Sequence, residues 1–241
     1  MSEKIGKTWW PEVAALVAFA ALTLALMNGY LLDLDERIAE WSLTHQPAPV
    51  YWTARVFNYL GQGGQVLMPV TLILTGVLFW RTRSVRALLP FVVTFALTYC
   101  TIGPAKIFFD RAAPRFKGPD AVMLFNPSAA GDKAMSYPSG HVANTLVWFG
   151  VIALLLTVLM KRDLSRREWL LLRVAPVVIV FVTTVYTGFH WLTDSIAALF
   201  LGFVLVRLLG RIPWGLRSDP GAGAHHPAQG QVGGQDHQVG A

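Results

Sequence analysis

Two histidines in the chain stand in short sequences that suit phosphate chemistry. His141 ends the sequence Tyr-Pro-Ser-Gly-His, which directly precedes a long apolar run. Ser139 is a good N-cap residue, so this sequence predicts a helix that begins there with free backbone N–H groups. Such groups bind anions, and Gly140 lets a ligand approach the backbone closely. His141 would then place a titratable imidazole beside the bound anion.

The second histidine, His190, lies four residues before Asp194 in the sequence His-Trp-Leu-Thr-Asp. If both residues lie on one helix they share a face, and Asp194 accepts a hydrogen bond from the imidazole ring. That bond fixes the tautomer and makes the other ring nitrogen more basic, as a base or a nucleophile requires. The alternatives are an ion pair at the membrane surface and a metal site, for which further ligands nearby are lacking.

Three cations that could hold an anion lie at the end of another apolar run and shortly after it. They are Lys106, Arg111 and Arg115. Together with the two histidines they supply phosphate recognition, an oriented nucleophile and an acid for the leaving oxygen. Phosphoryl transfer through a phosphohistidine requires these parts. Each polar residue, taken alone, is equally well explained as a polar group at a wet helix end.

The elements that must position these residues are long apolar helices. Of the 241 residues, 54% are hydrophobic and 14% are charged, whereas a typical soluble domain has about 25% charged residues. Six runs with few or no charges approach the length that spans a bilayer: residues 13–27, 65–80, 87–105, 142–160, 174–189 and 191–206. We therefore expect an all-α, polytopic membrane helix bundle with six transmembrane helices over residues 1–215. A disordered cytoplasmic tail is expected over residues 216–241.

Two connecting segments lie on the same side of the predicted bundle as the histidines. Residues 33–46 space Leu34, Ile38 and Trp41 at roughly helical intervals among acidic residues. This spacing predicts a short amphipathic helix along the membrane surface. Residues 110–138 form the longest connection, and loops of this length are usually functional or disordered.

The distribution of Lys and Arg predicts the orientation of the bundle. Thirteen of the 20 basic residues fall on the side that also holds both termini, and seven fall on the other side. We therefore expect cytoplasmic termini and an active site that faces outward, in a plasma membrane. The net charge of +6 is thus a topology signal and weak evidence for nucleic-acid binding. A cleaved signal peptide is the alternative for the first run, which is long and lacks a convincing cleavage site.

Taken together, these motifs resemble those of the type 2 phosphatidic acid phosphatase family, whose superfamily includes soluble acid phosphatases and vanadium haloperoxidases. The family pattern has three parts: Lys-x6-Arg-Pro, Pro-Ser-Gly-His and Ser-Arg-x5-His-x3-Asp. Lys106 and Pro114 match the first part, residues 138–141 match the second in full, and His190 and Asp194 match the third. The resemblance covers about residues 60–211, including the long loop after the first part.

Two arginines of the family pattern are missing at their aligned positions. The arginine of the first part falls on Ala113, and the Ser-Arg pair of the third part falls on Thr183 and Thr184. Each lost charge-assisted bond to phosphate would cost about 1.5–3 kcal/mol. We hypothesise that Arg111 or Arg115, or both, reach the phosphate instead. An altered anion site beside retained histidines indicates a changed substrate rather than an inactive protein.

The resemblance implies a phosphatase in which His190 attacks phosphorus, Asp194 orients His190, and His141 protonates the leaving oxygen. The groups implied to hold the phosphate are Lys106, Ser139 and the Gly140 amide. No metal or cofactor is implied. The expected substrate is an amphiphile such as phosphatidic acid, phosphatidylglycerophosphate or a polyprenyl diphosphate. A lipid phosphotransferase and a non-catalytic lipid-phosphate binding or transport protein on a degenerate site stay open as alternatives.

Overall fold

The computed structural model describes residues 8–216, so nearly all of the segment predicted as a disordered tail lies outside the described residues. Within residues 8–216 the chain forms helices and loops and no β-strand. The α-helices are, in chain order, α1 (Trp10–Met27), α2 (Leu32–Thr44), α3 (Ala48–Asn58), α4 (Met68–Thr82), α5 (Leu89–Phe109), α6 (Gly140–Met160), α7 (Arg166–Arg173), α8 (Ala175–Tyr186) and α9 (Leu192–Arg211).

Six helical segments in this part of the chain are long and apolar enough to cross a membrane. They are Trp10–Met27, Gly63–Thr82, Val85–Phe109, Gly140–Met160, Arg166–Tyr186 and Leu192–Arg211. The predicted all-α fold with six transmembrane helices is therefore confirmed.

The fifth span differs most from its predicted limits because it contains two helices, α7 and α8. Ser165 and Glu168 form a capping box that starts α7. Pro176 lies in the first turn of α8, where its missing N–H group breaks the continuity with α7. The apolar pattern alone missed α7 because charged residues occupy its first turn.

Helices α6 and α9 form the centre of the bundle. In the most apolar part of each, 50% of the residues are buried, against 22–28% for the other spans. Gly202 lets the two helices approach, since a Cβ atom there would lie 2.8 Å from Leu146 Cδ1. Small residues at such contacts are what allows helices to pack closely in a membrane. Because the two histidines lie at the beginnings of α6 and α9, the best-packed pair of helices positions them.

The bundle has two chemically different ends. At the end where α1 begins and α9 ends, the terminal end, Glu12 contacts Arg207 and Arg211. The opposite end, the histidine end, holds the beginnings of α6 and α9, the short helices α2 and α3, and the long loop after α5. Backbone hydrogen bonds fix this loop, for example from Phe125 N to Phe109 O at 2.7 Å. The loop is therefore an ordered part of the histidine end.

The connection between α3 and α4 packs closely against α6. It contains a 3-10 turn, Tyr59–Gly61, and a π-helical turn, Gly63–Leu67. A Cβ atom on Gly61 would lie 3.0 Å from His141 Cβ, and one on Gly63 would lie 2.7 Å from Asn144 Nδ2. At Gly61 the absence of a Cβ atom permits this approach, since the atoms nearby belong to Val180 and His141. It brings the end of α3 next to His141.

Candidate active site

The start of α6 has the predicted helix cap. Ser139 is fully buried, and its Oγ accepts a hydrogen bond from Val142 N at 3.4 Å. Its own backbone N–H donates to the carbonyl oxygen of Asp194 at 3.0 Å. The cap thus ties the start of α6 to the start of α9, and it leaves Gly140 and His141 as the first two residues of α6.

His190 lies just before α9, which begins at Leu192, so the predicted helical pairing with Asp194 is not formed. The His190 Nδ1 atom lies 2.8 Å from the carbonyl oxygen of Ser136 and 3.6 Å from Asp194 Oδ2. The longer distance exceeds that of a hydrogen bond. Because a carbonyl oxygen only accepts, Nδ1 carries the proton and Nε2 has a lone pair. A backbone carbonyl of the long loop therefore orients His190.

The two histidines form a direct pair. His141 Nδ1 lies 3.2 Å from His190 Nε2, and the ring planes meet at 68°. Since His190 Nε2 is the acceptor, the hydrogen-bond network assigns the donated proton to His141 Nδ1. Burial lowers the pKa of His190 below its ordinary value, so its imidazole is neutral at pH 7. The pair therefore holds a nucleophilic lone pair beside a proton donor.

Asp194 is fully buried and connects several parts of the site. Its Oδ1 accepts a hydrogen bond from Arg111 Nη1 at 2.7 Å. Its Oδ2 accepts one from the backbone N–H of Trp191 at 2.9 Å, which caps the start of α9. With His190 3.6 Å away, the carboxylate acts on that imidazole through its charge and through the turn that carries it.

Arg111 is fully buried among protein acceptors. Besides the bond to Asp194, its Nη2 donates to Asp35 Oδ2 on α2 at 2.8 Å, and its Nε donates to Val122 O at 2.8 Å. Asp35 in turn accepts a hydrogen bond from Thr193 N at 3.0 Å. Burial raises the pKa of Asp35, although the Arg111 guanidinium opposes this. We call Asp35, Arg111 and Asp194 the buried triad; its geometry directs Arg111 toward carboxylates and away from the predicted role in binding phosphate.

Lys106 lies beside the start of α6. Its Nζ donates a hydrogen bond to the carbonyl oxygen of Met135. Its Cε would be only 3.0 Å from a Cβ atom on Gly140, so the glycine leaves the space that the lysine occupies. Three predicted phosphate-binding groups, Lys106, Ser139 and Gly140, are thus brought together at the N-terminus of α6.

Arg115 lies apart from Arg111, in a pocket of about 190 Å³ that Arg55 and Lys133 also line. Its Nε donates to the carbonyl oxygen of Thr187 at 2.6 Å. Arg55 and Lys133 were not predicted as site residues from the sequence, because they come from α3 and from the end of the long loop. No motif spacing connects these segments with the histidines. Within residues 8–216, no group of three His, Cys, Asp or Glu side chains is arranged to hold a metal ion.

A family model of the PAP2 superfamily matches residues 87–218, which is more than half of the chain. The chain belongs to the PAP2 superfamily. The match confirms the resemblance found in the sequence and includes both histidines. Asp35 and Arg55 precede the matched residues, so they lie outside the part that this PAP2 superfamily protein shares with the family model.

The fold of this PAP2 superfamily protein is similar to a solved structure. The crystal structure is described as that of the first transmembrane PAP2-type phosphatidylglycerolphosphate phosphatase from Bacillus subtilis. The TM-score is 0.68 at 22% sequence identity, and the match covers 84% of this chain and 94% of the other. No curated protein is significantly similar to the chain in sequence.

Proposed function

We propose that the protein is a membrane phosphatase that hydrolyses a lipid or polyprenyl phosphate or diphosphate through a phosphohistidine on His190. The observation that carries this proposal is the histidine pair, in which Nε2 of His190 has a lone pair 3.2 Å from Nδ1 of His141. The hydrogen bond to the Ser136 carbonyl oxygen supports the same tautomer of His190. An oriented, neutral imidazole with a second imidazole beside it suits nucleophilic catalysis.

In the first step, His190 Nε2 attacks phosphorus and the bond from phosphorus to the leaving oxygen breaks. His141, which holds a proton on each ring nitrogen at this step, gives one of them to that oxygen and becomes neutral. The first product is an alcohol, or a lipid phosphate when the substrate is a diphosphate. In the second step, His141 accepts a proton from water and the resulting hydroxide attacks phosphorus. Inorganic phosphate leaves and His190 is restored. The Asp194 carboxylate balances the positive charge that His190 acquires in the intermediate.

The phosphate oxygens are held at the start of α6 in this proposal. The free N–H groups there, including that of Gly140, point toward an anion that sits at the helix terminus. Lys106 adds a positive charge beside them, and Ser139 keeps the terminus in place through its cap. No step requires a metal ion or another cofactor.

We further propose that the site faces outward from a plasma membrane, with both termini in the cytoplasm. Within residues 8–216, ten basic residues lie at the terminal end: Arg81, Arg83, Arg86, Lys161, Arg162, Arg166, Arg167, Arg173, Arg207 and Arg211. An excess of Lys and Arg marks the cytoplasmic side of a membrane protein. The substrate would then enter from the outer leaflet. Phosphatidic acid, polyprenyl diphosphate and phosphatidylglycerophosphate are the candidates. The structural neighbour from Bacillus subtilis is a phosphatase of the last of these.

The test is phosphate release by the detergent-purified full chain from each of these three substrates, with His190→Ala as the control. The proposal predicts release of inorganic phosphate by the wild type and not by the variant. Transfer of the phosphoryl group to an added alcohol, without release to water, would show a phosphotransferase instead. Binding of the substrate without any product would show a binding or transport protein.

The orientation has its own test. Lys117 is exposed in the long loop, and Cys100 can be replaced so that a single new thiol remains. A membrane-impermeant maleimide should label Lys117→Cys in a Cys100→Ser background in intact cells. The matched control is Arg83→Cys at the terminal end, which should be labelled only after lysis. The reverse pattern would contradict the proposed orientation.

A further inference from the structure

A cluster of three cations lies next to the histidine pair. Arg55 and Arg115 both contact the ring of Phe189, with their Cζ atoms 4.6 Å and 5.7 Å from its centroid. The ring of His141 stacks on the same phenylalanine, with the centroids 5.8 Å apart. Lys133 completes the lining of the pocket on this side. Phe189, the residue that precedes His190, therefore contacts both the arginines of the pocket and His141.

The charged side chains that the structure describes in this pocket are all positive. Among the described side chains that line it, none is a carboxylate. The Arg115 guanidinium is bonded to a backbone carbonyl group, that of Thr187. Within residues 8–216, the side chains of Arg55 and Lys133 have no hydrogen bond or ion pair, although Arg55 stacks on Phe189. Arg55 and Arg115 are half-buried and Lys133 is exposed. Their positive charges together attract an anion into the pocket.

Two of the three cations surround the place where the first family arginine is missing. Ala113, which stands at that aligned position, lines the pocket with its small side chain. Its backbone N–H donates to the carbonyl oxygen of Lys133 at 2.8 Å, so the loop end that carries Lys133 is held beside it. Arg115 follows two residues later. The space left by the alanine is thus bordered by cations from two other positions.

The third cation, Arg55, lies near the place where the other family arginine is missing. Thr184 on α8 stands at that position and is fully buried. Asn58 Nδ2 on α3 lies 3.5 Å from Thr184 Oγ1 and 3.3 Å from Thr187 Oγ1. Arg55 is three residues before Asn58 on the same helix, so it lies about one turn away on nearly the same face. Helix α3 therefore brings a guanidinium to the side of α8 that lacks one.

We propose that Arg55, Arg115 and Lys133, the cation cluster, bind the phosphate oxygens of the substrate headgroup in place of the two missing arginines. This proposal rests on the proposed function, since it assigns the cluster to the same substrate. Guanidinium groups offer paired N–H donors that match two phosphate oxygens, and the ammonium group adds a point charge. Helix α3 and the long loop therefore supply cations in place of the two missing arginines, beside the motif residues Lys106 and Gly140.

The experiment measures the binding of inorganic phosphate to the detergent-purified full chain through the rise in unfolding temperature that the ligand causes. Arg55→Met and Lys133→Met should each raise the Kd for phosphate by about 10-fold or more, because each removes a charge-assisted contact. Exposed basic residues at the same end provide matched controls, Arg37→Met and Lys117→Met, which should bind phosphate as the wild type does. If Arg55→Met fails to fold, Arg55→Gln replaces it.

Phosphate binding with the wild-type Kd in both cluster variants and in their double variant would overturn the proposal. Failure of phosphate to stabilise the wild type at any concentration would overturn it as well. The proposed function fails separately. If the wild type hydrolyses its substrate but the cluster variants bind phosphate with the wild-type Kd, the cluster proposal is refuted and the proposed phosphatase is retained. If the cluster variants bind phosphate more weakly but the wild type hydrolyses none of the substrates, the cluster proposal is retained and the proposed phosphatase is refuted.

Discussion

Two groups of buried charges, at opposite ends of the bundle, show how the same kind of ion pairing can have different consequences. At the terminal end, Glu12 Oε1 of α1 accepts hydrogen bonds from Arg207 Nε at 3.0 Å and Arg211 Nη2 at 2.6 Å. At the histidine end, the buried triad places Arg111 between Asp35 of α2 and Asp194 of α9. Each group thus links α9 to a helix near the beginning of the chain.

The two groups differ in burial and in their neighbours. The side chains of Arg207 and Arg211 are 19% and 17% exposed, whereas each side chain of the buried triad is 0% exposed. Among the described residues, an imidazole lies beside the triad, that of His190 at 3.6 Å from Asp194, and none lies beside Glu12. The difference indicates that Glu12 serves helix packing, while the triad also fixes the carboxylate and the turn on which the proposed chemistry depends.

Substitutions at the two ends should differ most in phosphate release, and the largest loss is expected from His190→Ala. This change removes the proposed nucleophile, so phosphate release should fall by at least about 10³-fold, as is usual when a nucleophile is lost. The measurement is phosphate release from the preferred lipid by purified protein. The matched variant at the terminal end, Glu12→Gln, should retain its release. Release of phosphate by His190→Ala at the wild-type rate would show that His190 is not the nucleophile.

The next effect is expected from Arg111→Leu. It leaves the carboxylates of Asp35 and Asp194 buried without their counter-charge, and breaking a buried pair in this way typically costs about 3–5 kcal/mol of stability. The unfolding temperature in detergent should fall markedly, and phosphate release per folded molecule should fall as well. Adding Asp35→Asn should restore part of the stability, because it removes one uncompensated carboxylate. An unaltered unfolding temperature in Arg111→Leu would contradict the role of the triad.

A smaller effect concerns pH. Burial lowers the folded-state pKa of His190, and the neutral imidazole is the nucleophile. On the acidic side, the protein therefore forms the phosphoenzyme above that lowered pKa and loses this step as the pH falls through it. Rapid-quench measurements should place this loss below the ordinary histidine value of about 6.5. A midpoint at or above that value would show that His190 is not shielded from water.

The smallest effect on chemistry is expected from Glu12→Gln. The change weakens the contacts of α1 with Arg207 and Arg211, so the unfolding temperature should fall. Turnover of the folded protein should be the same as in the wild type, since the site is at the other end of the bundle. A drop in turnover per folded molecule would mean that the two ends are coupled.

The parts of the fold that follow from local sequence were predictable. The six spans follow from apolar length, and the cap at Ser139 follows from its residue type before an apolar run. Both features depend on neighbours in the chain. The gathering of Lys106, His141 and His190 at one end follows from their positions at predicted helix ends.

The contacts that depend on distant residues were not predictable. Asp35 was expected on a surface helix, yet it bonds Arg111, 76 residues away, and Thr193, 158 residues away. The partner of His190 is a backbone carbonyl oxygen, that of Ser136, which has no sequence signature. One signal was available: an acid at the third position of a helix favours a cap, and Asp194 at that position of α9 indicates a helix that begins after His190.

The proposed mechanism requires His190 to carry the phosphoryl group during turnover. The most direct measurement is mass spectrometry of the protein quenched during hydrolysis of its preferred lipid, with the modified residue located in the peptide that contains residues 187–195. One phosphoryl group is expected on His190 in the wild type, and none is expected in His190→Ala. Turnover without a phosphoryl group on the protein, or with the group on His141 instead, would contradict it.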